Sequence, residues 1–332
     1  MRFGVIGCGT VAGYGHIPAL AESTDAELAA LSDLRKEHLE QLGAKYGVQR
    51  LYTDYHELLD QPDIDAVTVA TPVGSHYEVV MAALRAGKHV FCEKPLSSDV
   101  EQGKEMVAYA KQVGKLLAVN FEMRAYDLMS RSKELIDAGK IGEVCYMRLL
   151  YNWAGPRWAG DDRHRMLMTE GKGPIFDCGV HFFDLARWFS GSDFQSISAA
   201  GLFVEGFENP DQVVATCKMR NGAIAVIDEG WVYGHTVTSP QRRFVHRIDI
   251  VGTKGTITTD RSYGNMTTYV VQSSDGVHIE QSKEAKPFDR MYALFARSIQ
   301  EGRLIDLASG QDGLAAVEAA QTALQQVLDA SK

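Results

Sequence analysis

The chain of 332 residues contains no run of about 18 apolar residues, so no segment reads as a membrane-spanning helix and no membrane partner is expected. It has no cluster of Lys and Arg either. Asp and Glu outnumber Lys and Arg by 43 to 34, a formal charge of −9. A surface of that sign repels phosphate backbones, which argues against a nucleic-acid partner. Cysteine is scarce and poorly spaced for cross-linking: Cys8, Cys92, Cys145, Cys178 and Cys217 are odd in number, with no C-x-x-C pair. Neither a disulfide framework nor a zinc site is expected, and no H-E-x-x-H suggests another metal. The start, MRFGVIGCG, lacks the charged, apolar and small-residue regions of a signal peptide, so the protein is expected to be cytoplasmic. No internal repeat or low-complexity segment is visible.

What remains is a soluble globular composition, 45% hydrophobic and 23% charged, long enough for two domains. Short apolar runs alternate with helical periodicity over the first third: strands at 2–6, 27–32, 65–70, 89–94 and 115–121, helices at 12–22, 35–46, 75–87 and 98–114, the last with Ser98 as its cap. That alternation predicts an α/β fold opening with a doubly wound parallel sheet. After residue 121 the pattern changes. A helix at 127–138, a long strand at 143–153 and hairpins turning at Asn221-Gly222, Lys254-Gly255 and Asp275-Gly276 precede two closing helices at 287–301 and 311–329. The expected division is residues 1–121 as a dinucleotide-binding domain and 122–332 as an α+β domain with a mainly antiparallel open sheet.

GCGTVAGYGH follows the first strand directly. Gly7 permits a tight turn, Gly9 lets backbone approach a pyrophosphate, and Ala12 lets the helix sit close to the strand. Thr10 and Val11 open that helix, where free N–H groups and the positive dipole favour phosphate. The second strand ends in Asp33, placed to accept hydrogen bonds from an adenosine ribose. A Rossmann domain binding NAD is expected, since Asp33 repels a 2′-phosphate; nearby Arg35 leaves NADP open.

The segment GPIFDCGVHFFDLARWF, 173–189, is apolar except for Asp177, His181, Asp184 and Arg187. In a helix, Asp177, His181 and Asp184 share one face. Singly, each has an ordinary structural reading: Asp177 as an N-cap, His181 as a bonded core residue, Asp184 as a partner of His181 or Arg187. Behind a dinucleotide loop, their convergence reads as the floor of an active site. The irregular stretch before it, with Trp153, Arg157, Trp158, Arg163 and His164, offers aromatic faces and guanidinium forks suited to a polyhydroxylated ligand.

FCEKPLS at the end of the strand at 89–94, ATPVGSHYE (70–78) one βα unit earlier, and D-x-x-x-H at 177–181 together resemble the Gfo/Idh/MocA family of oxidoreductases. The likeness extends over essentially the whole chain. It implies action on sugars, cyclitols or their derivatives, with Thr71, Pro72, His76, Glu93 and Lys94 added to the cofactor-binding residues. It also implies a substrate set of Arg124, Trp158, Asp177, His181 and Asp184, with Lys94, His181 and Asp177 catalytic. Two departures stand out. EGKGP (170–174) interrupts a glycine run common in relatives, and NFEMR keeps Asn120 and Arg124 of a usual Asn-Arg-Arg.

Oxidising a secondary alcohol moves a hydride to nicotinamide and releases a hydroxyl proton. His starts nearest the working pH, so His181 takes the proton and Lys94 polarises the oxygen, the reverse assignment standing second. An NAD-dependent dehydrogenase or reductase of a sugar, cyclitol or sugar derivative is expected. The alternatives are an NAD-dependent glycoside hydrolase and a non-catalytic cofactor sensor. Alternating apolar residues in VVATCKM and AIAVIDEGW predict an open sheet face that pairs subunits into a homodimer or homotetramer.

Overall fold

The computed structural model describes residues 1–156, 161–232, 244–262, 266–283 and 285–331. They form two compact units, residues 1–125 with 286–317, and residues 126–285 with 318–332.

The first unit is built on strands β1 (Arg2–Ile6), β2 (Glu27–Ser32), β3 (Leu51–Tyr52), β4 (Ala66–Val69), β5 (His89–Cys92) and β6 (Leu117–Val119). All pair in parallel, in the order β6-β5-β4-β1-β2-β3. Helices α1 (Ile17–Glu22), α2 (Lys36–Tyr46), α3 (Tyr55–Leu59), α4 (His76–Arg85) and α5 (Val100–Gln112) provide the crossovers. Strands covered on both faces need apolar side chains at every position, and β4 is buried throughout. The helix after the glycine loop differs from the expected uniform α-helix: Ala12–His16 is a wide π turn that passes into α1. The cap of α5 is Asp99, whose carboxylate accepts the N–H groups of Glu101 and Gln102, and not Ser98. Asp99 has the extended backbone that points a short carboxylate at those donors.

The second unit holds α6 (Asp127–Asp137), β7 (Val144–Asn152), α7 (Asp161–Thr169), α8 (Val180–Ser190) and strands β8 (Phe194–Leu202), β9 (Gln212–Met219), β10 (Ile224–Gly230), β11 (Val245–Gly252), β12 (Thr256–Asp260), β13 (Thr267–Ser273) and β14 (Gly276–Ser282). They make one eight-stranded sheet in the order β14-β13-β12-β11-β7-β10-β9-β8, antiparallel except where β7 and β10 run parallel. Alternation sets its faces: Val213, Ala215, Cys217 and Met219 of β9 are buried, whereas Val214, Thr216 and Lys218 are exposed. Gly222 and Gly276 take the left-handed backbone expected at two of the turns, with φ of 93° and 112°.

The cut near residue 121 is not a single one. After β14 the chain rejoins the first unit through α9 (Phe288–Glu301) and β15 (Ala308–Ser309), and β15 adds antiparallel to β6. The reason is apolar: Phe288, Met291, Tyr292 and Phe295 of α9 are buried with Phe3, Val5 and Phe91 in one core. The last helix, α10 (Gly310–Ala330), is divided between the units at Val317. In its second part, Gln326 bonds the backbone of Ala199 and Ile197 on β8.

Candidate active site

In the first unit the glycine loop lies at the C-terminal edge of the parallel sheet, where open α/β sheets take their ligands. Gly7 has φ of +87°, and a Cβ there would fall 2.7 Å from the backbone of Ala70 and Thr71. Only glycine fits. A Cβ on Gly9 would meet no protein atom within 4 Å, so packing does not explain that glycine; close approach by a ligand does. Ala12 is fully buried, as the small third position requires. Thr10 is exposed and Val11 half-buried at the head of the turn. This loop fits a pyrophosphate.

Asp33 sits beside it. Its carboxylate accepts the backbone N–H of Cys8 at 2.9 Å, and Arg35 donates to it from its backbone N–H, Nε and Nη2 at 3.0, 2.8 and 2.9 Å. Burial would raise the carboxyl, but these hydrogen bonds, led by the Arg35 guanidinium, outweigh it and hold it down to about 2. Arg35 is thus engaged with Asp33, a pairing that its proximity in sequence only hinted at. His38, which sequence reasoning passed over, bonds the Cys8 carbonyl at 2.7 Å through Nε2.

The loops after β4 and β5 are joined by His76. Its ring nitrogens lie 2.9 Å from the carbonyls of Thr71 and Pro95, and it is buried. Glu93, also expected among cofactor contacts, turns its carboxylate inward to His16 and Asn120 and to the backbone N–H of Lys94. Both side chains therefore shape the site from within the unit. Thr71 is half-buried and Pro72 exposed. Arg124 is buried in the short helical turn Glu122–Ala125, with Nη2 3.6 Å from Asp312.

The second unit carries the D-x-x-x-H segment. Lys172 and Gly173 both have left-handed backbone, φ of 58° and 73°, so the interrupted glycine run keeps a path that glycine favours. Lys172 is held there by Gln321 at 2.7 Å and by the Phe176 ring at 4.6 Å. Asp177 is not the N-cap, a position taken by Pro174; it lies inside the π turn Ile175–Gly179, and His181 lies in the first turn of α8. The single face expected for Asp177, His181 and Asp184 assumed uniform α-helix, and the wide turn changes the rotation between Asp177 and His181. His181 is 6% exposed and Asp184 0%. Arg187 reaches Asp193 at 2.6 Å.

Two residues that sequence reasoning missed belong beside Asp177. Tyr151 and Glu229 occupy one rung of the parallel pair β7–β10. Burial, and then the charges of Cys178, Glu229 and Asp177, push the Tyr151 phenol well above its usual range, so at neutral pH it is a hydrogen-bond donor. Phe182 and His246 line its ring at 5.6 and 5.3 Å. The signal for Glu229 was present: it falls on the buried phase of β10, with Ala225 and Ile227, where an apolar residue would be usual.

Of the loop read as a substrate wall, Arg157 and Trp158 lie outside the described residues. Trp153 is half-buried and meets Trp231 edge to face at 6.4 Å. His164 turns inward to Glu205 at 2.8 Å. Arg163 is half-buried. The cysteines form no disulfide; Cys8 and Cys92 are buried fillers whose thiols burial pushes up, Cys8 to about 12.

Comparison with known proteins places both parts of the chain in one family. Residues 1–121 match the family model described as an oxidoreductase family with NAD-binding Rossmann fold, and residues 129–258 match the GFO/IDH/MocA C-terminal domain. A myo-inositol 2-dehydrogenase of Thermotoga maritima is 33% identical over 284 residues, 83% of this chain and 79% of its own. A scyllo-inositol 2-dehydrogenase (NAD(+)) of Bacillus subtilis is 30% identical over 266 residues, 77% of this chain and 73% of its own. The crystal structure of a probable dehydrogenase from Thermotoga maritima, 28% identical, superposes with a TM-score of 0.82 over 100% of this chain and 98% of that one. With a glycine loop shaped for a pyrophosphate in one unit and the D-x-x-x-H segment in the other, the chain belongs to the Gfo/Idh/MocA family of NAD-binding oxidoreductases.

Proposed function

We propose that the protein is an NAD-dependent dehydrogenase or reductase acting on a secondary hydroxyl or keto group of a cyclic polyol, a cyclitol first and a sugar or sugar derivative next. The observation that carries this reading is the gathering of Asp177, Tyr151 and Glu229 around the His181 segment, in a unit whose companion holds the dinucleotide loop and Lys94. Two relatives named for inositols support the substrate class. Gly7, Gly9, Thr10, Val11, Ala12, Asp33, Thr71 and Pro72 would hold the cofactor, which when bound accepts or gives the hydride. The protein's own task is the proton and the orientation. Lys94 polarises the reacting oxygen, His181 takes the hydroxyl proton, and Asp177 holds the imidazole or the substrate, with Arg124, Asp184 and Trp158 read as further substrate residues. A panel of inositols, sugars and aryl glycosides with NAD tests it. NADH formation from polyols is expected; aglycone release without net NADH would move the assignment to an NAD-dependent glycoside hydrolase.

We further propose a cytoplasmic homodimer or homotetramer joined through the open sheet face of the second unit. Tyr146 and Ile224, 38% and 42% exposed, share one rung of that face, and Val214 at 39% lies opposite Asp228, further along the same strand. An apolar surface of this kind favours a partner. Light scattering at micromolar concentration should give at least twice the chain mass; a monomer would exclude the pairing.

A further inference from the structure

Five buried side chains of the first unit form a continuous hydrogen-bonded chain. Thr68 Oγ1 lies 2.7 Å from the Tyr292 hydroxyl, which lies 2.8 Å from His16 Nδ1. His16 Nε2 lies 2.7 Å from Glu93 Oε1, and Asn120 Nδ2 reaches the same oxygen. The other oxygen, Oε2, accepts the backbone N–H of Lys94 at 3.1 Å.

One member of the chain, the ionised Glu93 carboxylate, can only accept. Burial would raise the Glu93 carboxyl, but hydrogen bonding and charge from His16, the Lys94 charge and the Asn120 amide hold it at about 2. An ionised Glu93 requires a proton on His16 Nε2. Nδ1 faces the Tyr292 hydroxyl, which in turn faces Thr68 Oγ1, so the imidazole is held at both nitrogens. His16 is otherwise enclosed by aromatic rings, with Phe288 at 4.9 Å and Phe91 at 6.0 Å, a setting in which a hydrophobic residue would pack without a partner. The imidazole is distinguished by what it connects. It closes the π turn that follows the glycine loop, and through one carboxylate it reaches the residue after Glu93.

We propose that His16 is a positioning residue: by fixing the Glu93 carboxylate it fixes the main chain of Lys94, so that the Lys94 ammonium is presented to the substrate oxygen from one place. Tyr292 acts one bond further back, holding the His16 ring through Nδ1. The catalytic part of this inference rests on the role given to Lys94 above.

The test compares His16→Leu, which keeps an apolar side chain without the donor, with His16→Gln, which keeps an N–H directed at Glu93. Amide hydrogen exchange, melting temperature, NADH affinity, and kcat and KM for the polyol are measured on the same preparations. In His16→Leu the Lys94 amide should exchange about tenfold faster while β1 and β4 stay protected. In the same variant kcat should fall by about tenfold to a hundredfold, with KM and NADH affinity essentially unchanged. His16→Gln should recover most of both. Unchanged exchange at Lys94 in His16→Leu would overturn the proposal. So would an even loss of protection across the unit with wild-type kcat in the folded fraction, the signature of a purely structural histidine. Failure of the Lys94 assignment looks different: Lys94→Ala would turn over normally while the exchange result at its backbone stood.

Discussion

Asp33 accepts four N–H groups, three of them from Arg35, and that defines what a cofactor must negotiate at the adenosine end. A ribose diol can share an ionised carboxylate with those donors; a 2′-phosphate meets its charge. NAD should bind more tightly than NADP, and Asp33→Ala should narrow the difference by releasing Arg35, as a titration with both cofactors would show. His181→Ala should lower kcat by about 10²–10⁴-fold, the worth of a general acid–base, with melting temperature and cofactor affinity little changed. Lys94→Ala should cost a comparable factor, and the double variant far less than the product, because both act on one oxygen. A fully active His181→Ala enzyme would end this mechanism. Lys172 offers a stability test: at φ of 58°, Lys172→Gly should be more stable than Lys172→Ala by about 1 kcal/mol, the reverse of the usual order, in thermal melts of the two.

Element positions followed the periodicity closely where one physical cause dominated. The strands of the first unit were legible because burial on both faces leaves unbroken apolar runs, and the hairpins because Gly222 and Gly276 must adopt a left-handed backbone. Two devices were not legible. The π turns at Ala12–His16 and Ile175–Gly179 leave no mark on a 3.6-residue pattern, since one inserted residue resembles scatter. The choice of Asp99 over Ser98 as cap depended on local backbone geometry that neighbouring residues set. Asp99→Ala should destabilise the protein by about 1 kcal/mol, measurable by urea denaturation. At Gly15, where a Cβ would fall 2.5 Å from the Phe288 ring, Gly15→Ala should cost about 1–3 kcal/mol through overpacking between the glycine-loop helix and α9.

At the scale of the molecule, acid should weaken both units by the same chemistry. His89 on β5 and His246 on β11 are held down to about 4, each chiefly by burial and then by a neighbouring cation, Lys115 or Arg261. Between about 6.5, the unfolded value, and about 4 the unfolded chain binds the extra protons, so stability is full above that window and falls as pH drops through it. The carboxylates of Asp33 and Glu93, held near 2, add a loss at lower pH, from about 4 downwards. Melting temperature should therefore decline steadily from pH 6.5 to 4. His89→Asn should flatten part of that decline, because His89 Nδ1 accepts the Leu116 N–H and an amide oxygen can do the same without titrating. An unchanged slope in that variant would remove His89 from the account.

By itself the sequence determined the parallel and antiparallel sheets, the glycine loop, Asp33, and the family to which E-K-P and D-x-x-x-H belong. These rest on local rules: periodicity, turn chemistry, and a glycine where backbone must approach phosphate. Tertiary structure alone decided the return of α9 and β15 to the first unit, because a hydrophobic face does not state which distant core will bury it. It also decided the partners of polar residues. Glu93 and His76 carry the expected chemistry types, yet which donors and carbonyls they meet depends on segments as far apart as residues 16, 120 and 292. Tyr151 and Glu229 became neighbours only when β7 and β10 paired in parallel, a register between strands over 70 residues apart that neither strand encodes alone.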